Sequence, residues 1–112
     1  MQLRYLLQGA AIAVSLVALI GPATAQTVSI TSLGTAFTQN FDTLVNSGTS
    51  TSTPTGWSFS ESGSSANTTY AAGTGSSTTG DTYSFGGSVS SERAFGGLLS
   101  SNLTPTIGAA FT

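Results

Sequence analysis

The sequence predicts an all-β fold, a β-sandwich that follows a removable N-terminal segment. Aromatic residues recur at every second position in several short stretches, and this spacing places side chains on one face of a strand. Glycine, serine and threonine separate the stretches, as is typical of turns. Charged residues make up only 5% of the chain, so hydroxyl groups would cover the outward faces. Aromatic residues throughout the chain disfavour the alternative, a disordered Ser/Thr/Gly spacer.

Residues 1–25 have the organisation of a secretory signal peptide. A positive charge precedes an apolar run at residues 5–20, and Ala23-Thr24-Ala25 then offers the small residues that a signal peptidase needs. The alternative, a retained transmembrane anchor, is disfavoured because the run is short for a full span. We therefore expect a signal peptide helix at 1–25 and a β-sandwich module at 26–112. The location would be secreted or cell-surface, with membrane contact only during export.

The side-chain inventory of residues 26–112 excludes several functions. This part of the chain has four acidic side chains and one basic side chain, Arg93. A single cation cannot neutralise a phosphate backbone, so we expect no nucleic acid to bind through this segment. The chain contains no histidine and no cysteine, which removes the usual general base and the thiol nucleophile. We therefore expect no enzyme activity, no catalytic residue and no bound cofactor in this segment.

The first elements follow from the alternation of residue types. Residues 28–31 alternate apolar with polar side chains and predict a first strand. Residues 37–41 predict a second strand with a phenylalanine at each end of one face, and residues 42–45 are typical of a short helical turn. A Pro-x-Gly turn at 54–56 then leads into a strand at 57–60, whose two aromatic rings share a face.

The second half of the chain carries the central feature of the prediction. Residues 61–79 form a polar, glycine-rich loop with one short strand near 69–71. Residues 80–97 hold two short strands and the loop between them, closed at each end by glycines. Residues 107–111 alternate again and predict a last strand. Because the sequence stops on this strand, we expect an incomplete sandwich, the front part of a longer protein.

Arg93 is the first candidate site residue. Alternation places it on the same strand face as Phe95, which points inward, and a buried guanidinium needs a carboxylate. Glu92 points to the other face, so Asp81 or Asp42 is the expected partner. Two roles stay open for Arg93: an internal ion pair that fixes the sheet, and recognition of a ligand carboxylate or sugar.

Three aromatic residues are candidates for a sugar-stacking platform on an outer face: Trp57, Tyr70 and Tyr83. The alternative is that they fill the core, since Trp57 alternates with Phe59 as core residues do. The partner that such a platform would bind is a surface glycan or polysaccharide.

Ca²⁺ is a candidate ion because it takes hard oxygen ligands. Its ligands would be backbone carbonyl groups together with three carboxylates, those of Asp42, Glu61 and Asp81. No Asp-x-Asp spacing supports such a site, so the prediction rests only on the residue types.

Five stretches resemble, in this order, an N-terminal module of large secreted bacterial proteins: residues 39–44, 54–57, 80–86, 92–96 and 105–109. Such modules precede extracellular endonuclease/phosphatase domains, lamin-tail-like domains or surface-anchoring signals of the PEP-CTERM kind. The Asn-Phe-Asp opening with its later Pro-x-Gly-Trp is also similar to the concanavalin-like jelly rolls of cleaved adhesins. The resemblance covers about residues 32–112. It implies a jelly-roll-like β-sandwich, an exported location and a role in binding or display, and it supplies no catalytic residue.

Taken together, these features predict a non-catalytic secreted or cell-surface module for adhesion or substrate attachment within a larger extracellular protein. The alternative is the leader module of a secreted nuclease or other hydrolase, whose catalytic domain would lie beyond residue 112.

Overall fold

The computed structural model describes residues 26–112, and the predicted signal peptide at 1–25 lies outside the described residues. Within residues 26–112 the regular structure is all β-strand, without a helix, and so without one long and apolar enough to cross a membrane. The strands, in chain order, are β1 (Thr49–Ser50), β2 (Trp57–Ser62), β3 (Tyr70–Gly73), β4 (Asp81–Phe85), β5 (Ala94–Leu98) and β6 (Thr104–Ala109).

The strands form two sheets that pack face to face in a sandwich-like arrangement. One sheet has four strands in the order β1-β3-β4-β5, and the other pairs β2 with β6. Neighbouring strands are antiparallel except β3 and β4, which are parallel. The two layers approach closely where Gly97 of β5 meets Pro105 of β6, because a Cβ added to Gly97 would lie 2.4 Å from the proline ring. The predicted all-β class is confirmed.

The predicted strand at 57–60 is confirmed and continues to Ser62 as β2. Positions along β2 alternate between half-buried and exposed, so Trp57 and Phe59 face the four-stranded sheet while the serines face outward. The predicted turn before it is also present, since the Trp57 N–H donates to the Pro54 carbonyl at 2.9 Å. Gly56 has a φ of +82° at the third position of this turn, as a type II turn requires.

The core between the sheets is a cluster of aromatic rings. Phe59 of β2, Tyr70 of β3 and Phe95 of β5 contact one another with ring centroids 5.5–5.9 Å apart. Phe41 adds edge-to-face contact with Trp57 at 4.7 Å and lies 6.0 Å from Phe95. Each such pair contributes about 0.5–1.5 kcal/mol beyond the burial of its apolar area. Because Phe59 belongs to one sheet and Tyr70 and Phe95 to the other, the cluster joins the two sheets.

Strand β4 is buried on both of its faces. Thr82 and Ser84 are fully buried on the face toward the second sheet, while Tyr83 and Phe85 share the opposite face with rings 5.1 Å apart. The two strands predicted within residues 80–97 are present as β4 and β5, which pair antiparallel. The rings of Tyr83 and Phe85 share a face as predicted, but they lie outside the core between the sheets.

Two predicted strands are absent. In residues 28–31 only Val28 makes an isolated β-bridge, to Phe111. Residues 37–41 contain no strand, because their backbone pairs with no other strand, and the left-handed backbone of Phe41, with a φ of 58°, ends the stretch. The short helical turn predicted at 42–45 is present only as a single hydrogen-bonded turn at 41–44, in which the Leu44 N–H donates to the Phe41 carbonyl at 3.0 Å. The short strand β1 was not predicted, because two residues are too few to show an alternation.

Candidate functional site

Arg93 is buried, with 5% of its surface exposed, and its guanidinium uses all five of its N–H groups. Nε donates to the Ser84 hydroxyl at 2.8 Å, and one terminal nitrogen donates to the Ser84 carbonyl. The remaining donors reach the carbonyl groups of Gly73 at 3.3 Å, Gly87 at 3.0 Å and Ser90 at 3.5 Å. The side chain therefore ties the ends of β3 and β4 to the loop that follows them.

The predicted carboxylate partner of the Arg93 guanidinium is wrong. Within residues 26–112 every hydrogen bond of the guanidinium goes to an uncharged oxygen. The Asp42 carboxylate accepts instead from the backbone N–H of Arg93 at 3.2 Å, and Asp81 lies at the opposite end of β4. Carbonyl groups at the strand ends and in the following loop accept the hydrogen bonds that a carboxylate was expected to accept. No N–H group of the guanidinium is left free for a ligand.

The predicted aromatic platform is also wrong. Tyr70 and Tyr83 are 0% and 6% exposed, so neither ring can stack on a sugar. Their hydroxyl groups are bonded inside the protein, to the carbonyl groups of Ser52 at 2.8 Å and Thr79 at 2.9 Å. Trp57 is half-buried in the aromatic cluster. Trp57 and Tyr70 therefore pack in the aromatic core, and Tyr83 is buried on the opposite face of β4 against Phe85 and residues 77–79.

Glu61 and Asp81 form a carboxyl pair that joins the two sheets. Both accept a hydrogen bond from the backbone N–H of Thr82, at 2.9 Å and 2.8 Å. Glu61 also accepts from the Thr82 hydroxyl at 2.7 Å and from the Asn67 N–H at 2.9 Å. Because Glu61 is on β2 and Thr82 on β4, the pair connects the sheets through hydrogen bonds at the edge of the core.

The pKa values of the two carboxyl groups are shifted in opposite directions. Burial raises the pKa of Glu61, but hydrogen bonds from Asn67 and Thr82 outweigh it, so the net pKa lies below the ordinary value of 4.5. Burial, together with the hydrogen bond and negative charge of Glu61, raises the pKa of Asp81 above its ordinary value of 3.8. Glu61 therefore holds the negative charge more firmly, and Asp81 takes up a proton more readily.

The set of calcium ligands predicted from residue types is not formed. The structure brings Glu61 and Asp81 together, but Asp42 lies at the backbone of Arg93. In the part of the chain that the structure describes, no group of three or more acidic, histidine or cysteine side chains is arranged to hold a metal ion. Residue types alone could not show that the fold separates Asp42 from the other two carboxylates.

We expect Asp81→Asn to stabilise the protein at neutral pH. A carboxyl group whose pKa is raised by folding stabilises the protein below its ordinary pKa of 3.8, and that contribution is lost as the pH rises through the raised value. Asparagine keeps the acceptor oxygen for Thr82 and removes the charge beside Glu61. The measurement is the urea midpoint between pH 3 and pH 7, where the gain should shrink toward acid. Glu92→Gln, at an exposed carboxylate, is the control, and a gain that is equal at both pH values would contradict the prediction.

A groove of about 390 Å³ opens beside Glu61. Its lining residues are mostly hydroxyl-bearing and come from three separate segments: Thr51, Thr53, Ser58, Phe59, Ser60, Glu61, Asn67 and Thr68. Within the described residues, the hydroxyl groups of four of these make no hydrogen bond to protein: Thr51, Ser58, Ser60 and Thr68. Sequence reasoning missed this groove because its lining comes from one strand and two loops within residues 51–68, whose approach to one another depends on the fold. The high serine and threonine content of the loops was the only signal.

The groove combines free hydroxyl groups, one carboxylate, one amide and one aromatic ring, which are the groups that hold an uncharged polar ligand. No family model, curated protein or solved structure matches this chain. Any assignment of function therefore depends on the geometry of residues 26–112.

Proposed function

We propose that the chain is a non-catalytic binding module of an exported protein, which attaches to a glycan through the groove beside Glu61. The main support for the proposal is the lining of that groove, which is mostly hydroxyl-bearing. The free hydroxyl groups can donate hydrogen bonds to sugar hydroxyls and accept from them, and the part of Phe59 that lines the groove is apolar. Few, well-placed polar groups around an apolar patch are typical of small-molecule sites.

The sandwich, the low charge and the predicted signal peptide also support a binding module of an exported protein. Two packed sheets with an aromatic core support a rigid sandwich, for which we propose jelly-roll topology. The paucity of charge and the predicted signal peptide support export and display within a larger extracellular protein, for adhesion or substrate attachment.

The hydrogen bonds of Glu61 and Asp81 favour a structural role for both carboxyl groups over acid–base catalysis. They hold Thr82 and Asn67 in place across the two sheets. A catalytic pair would need its oxygens directed at a substrate instead. A hydrolase that used this module as a leader would therefore perform its chemistry in another domain.

The test is binding of the purified protein to a glycan array and to insoluble polysaccharides. Removing the free hydroxyl groups of Thr51 and Thr68 with the double variant T51V/T68V should weaken binding about tenfold, the loss of two neutral hydrogen bonds. Thr43→Val is the matched control, because Thr43 is exposed and lies outside the groove. Absence of binding to every glycan, or equal weakening by the control, would overturn the proposal.

A further inference from the structure

We infer that the ligand is an uncharged polysaccharide, which extends from the groove along the exposed face of β2 and β6. The inference rests on the proposed glycan-binding function and specifies the ligand class. Three features of residues 26–112 support it: a set of free hydroxyl groups on one exposed face, the continuity of this face with the groove, and the absence of an exposed cationic side chain.

The outward face of the β2–β6 sheet carries five hydroxyl-bearing residues, all of them exposed: Ser58, Ser60, Ser62, Thr104 and Thr106. The strand register places Ser60 opposite Thr106 and Ser62 opposite Thr104. None of the five side chains forms a hydrogen bond to protein within residues 26–112. We call this set the hydroxyl ladder. It contains no charged and no aromatic side chain, so hydrogen bonding is what it offers a partner.

The hydroxyl ladder is continuous with the groove, because Ser58 and Ser60 belong to both. Along a strand its hydroxyl groups recur at about 6.6–6.8 Å, and the two strands lie about 4.7–4.9 Å apart. Each hydroxyl group donates one hydrogen bond and accepts others, as each sugar hydroxyl does. A regular, rigid set of such groups suits an extended polymer that presents its own hydroxyl groups at regular intervals.

The charge distribution separates neutral from acidic polysaccharides. The one basic side chain of residues 26–112, Arg93, is buried and has no free N–H group. The charges that remain accessible are carboxylates, and Glu61 lies in the groove itself. An acidic polysaccharide with uronate or sulfate groups would therefore meet neutral or negative side chains, and its binding is disfavoured.

Gly108 offers a gain-of-function test at the ladder. It lies on the same face opposite Ser58, is exposed, and an added Cβ there would meet nothing within 4 Å. Gly108→Thr adds a sixth hydroxyl group, and Gly108→Val adds a side chain of the same shape without one. On cellulose and xylan we expect Gly108→Thr to bind several-fold more tightly than Gly108→Val.

The complementary loss-of-function variant is T104V/T106V, which leaves the groove lining intact. On the same neutral polymers it should weaken binding about tenfold. Pectate and alginate serve as the acidic polymers, and binding to the neutral polymers should be nearly independent of NaCl concentration. Near-UV circular dichroism of each variant checks that the fold is retained.

The outcomes separate this inference from the proposed function. Tighter or salt-sensitive binding to pectate or alginate would overturn the inference and leave the glycan-binding proposal in place. The same holds if neutral polymers are bound and T51V/T68V weakens binding, whereas the ladder variants do not change it. Failure to bind any glycan would overturn both.

Discussion

Arg93→Lys should lower the free energy of unfolding by about 3 kcal/mol. Lysine has three N–H donors where arginine has five, so at least two of the five accepting oxygens, which lie at the ends of β3 and β4 and in the loop after β4, would lose their partners in a buried site. Arg93→Met removes every donor and should cost more. The measurement is urea unfolding followed by the fluorescence of Trp57, the single tryptophan, which lies in the aromatic core.

Glu92→Gln is the control for these variants, because it changes an exposed charge next to Arg93 and should alter stability by less than about 0.5 kcal/mol. A loss for Arg93→Lys as small as that of the control would show that the guanidinium hydrogen bonds do not hold the strand ends together. Equal m-values for the wild type and the variants would confirm that the change lies in stability and not in the denatured state.

Gly56→Ala should also lower the free energy of unfolding by about 3 kcal/mol, for two physical reasons. The backbone at Gly56 has a φ of +82°, which disfavours any residue with a Cβ. A Cβ there would also lie 2.6 Å from the backbone nitrogen of Val28, which is itself buried and cannot retreat without breaking its hydrogen bond to Ala110. Thermal unfolding of the purified protein measures the loss.

Gly75→Ala is the matched control for Gly56→Ala. Gly75 has a similar φ of +86°, but an added Cβ there meets nothing within 4 Å. It should therefore show only the conformational cost, about 1 kcal/mol. The difference between the two variants measures the close approach of the Pro-x-Gly turn to Val28. Equal losses would mean that residues 26–30 contribute little to the fold.

Strands in which apolar and polar side chains alternate regularly could be predicted from the sequence, because burial of one strand face places an apolar side chain at every second residue. Residues 57–60 and the strand pair within 80–97 are the clearest cases. The prediction failed at residues 37–41 because alternation does not show whether a stretch finds a partner strand, and the left-handed backbone of Phe41 gives no signal in residue types. The face of Tyr83 and Phe85 was predicted, but β4 is buried on both faces, and alternation does not show which face meets the second sheet.

The site was harder to predict than the fold. The burial of Arg93 follows from strand alternation, but its acceptors are backbone carbonyl groups, which every residue has and no sequence pattern marks. The groove is assembled from three short segments within residues 51–68, a strand and two loops, and their approach to one another depends on the fold. The three rings predicted as a platform are large apolar side chains, and such residues are buried far more often than they bind ligands.

The parallel pairing of β3 and β4 determines which broad side of the module is covered by a connecting segment. Because Gly73 at the end of β3 lies beside Phe85 at the end of β4, the connection at residues 74–80 must run back along the sheet to the start of β4. Within this connection, the Thr79 carbonyl accepts a hydrogen bond from the Tyr83 hydroxyl. The connection thus runs beside the outer side of the four-stranded sheet, whereas alternate positions on the opposite side, on β2 and β6, are exposed. In the proposed binding role, attachment through one side would give each copy a single contact, and firm adhesion would come from many copies acting together, through avidity.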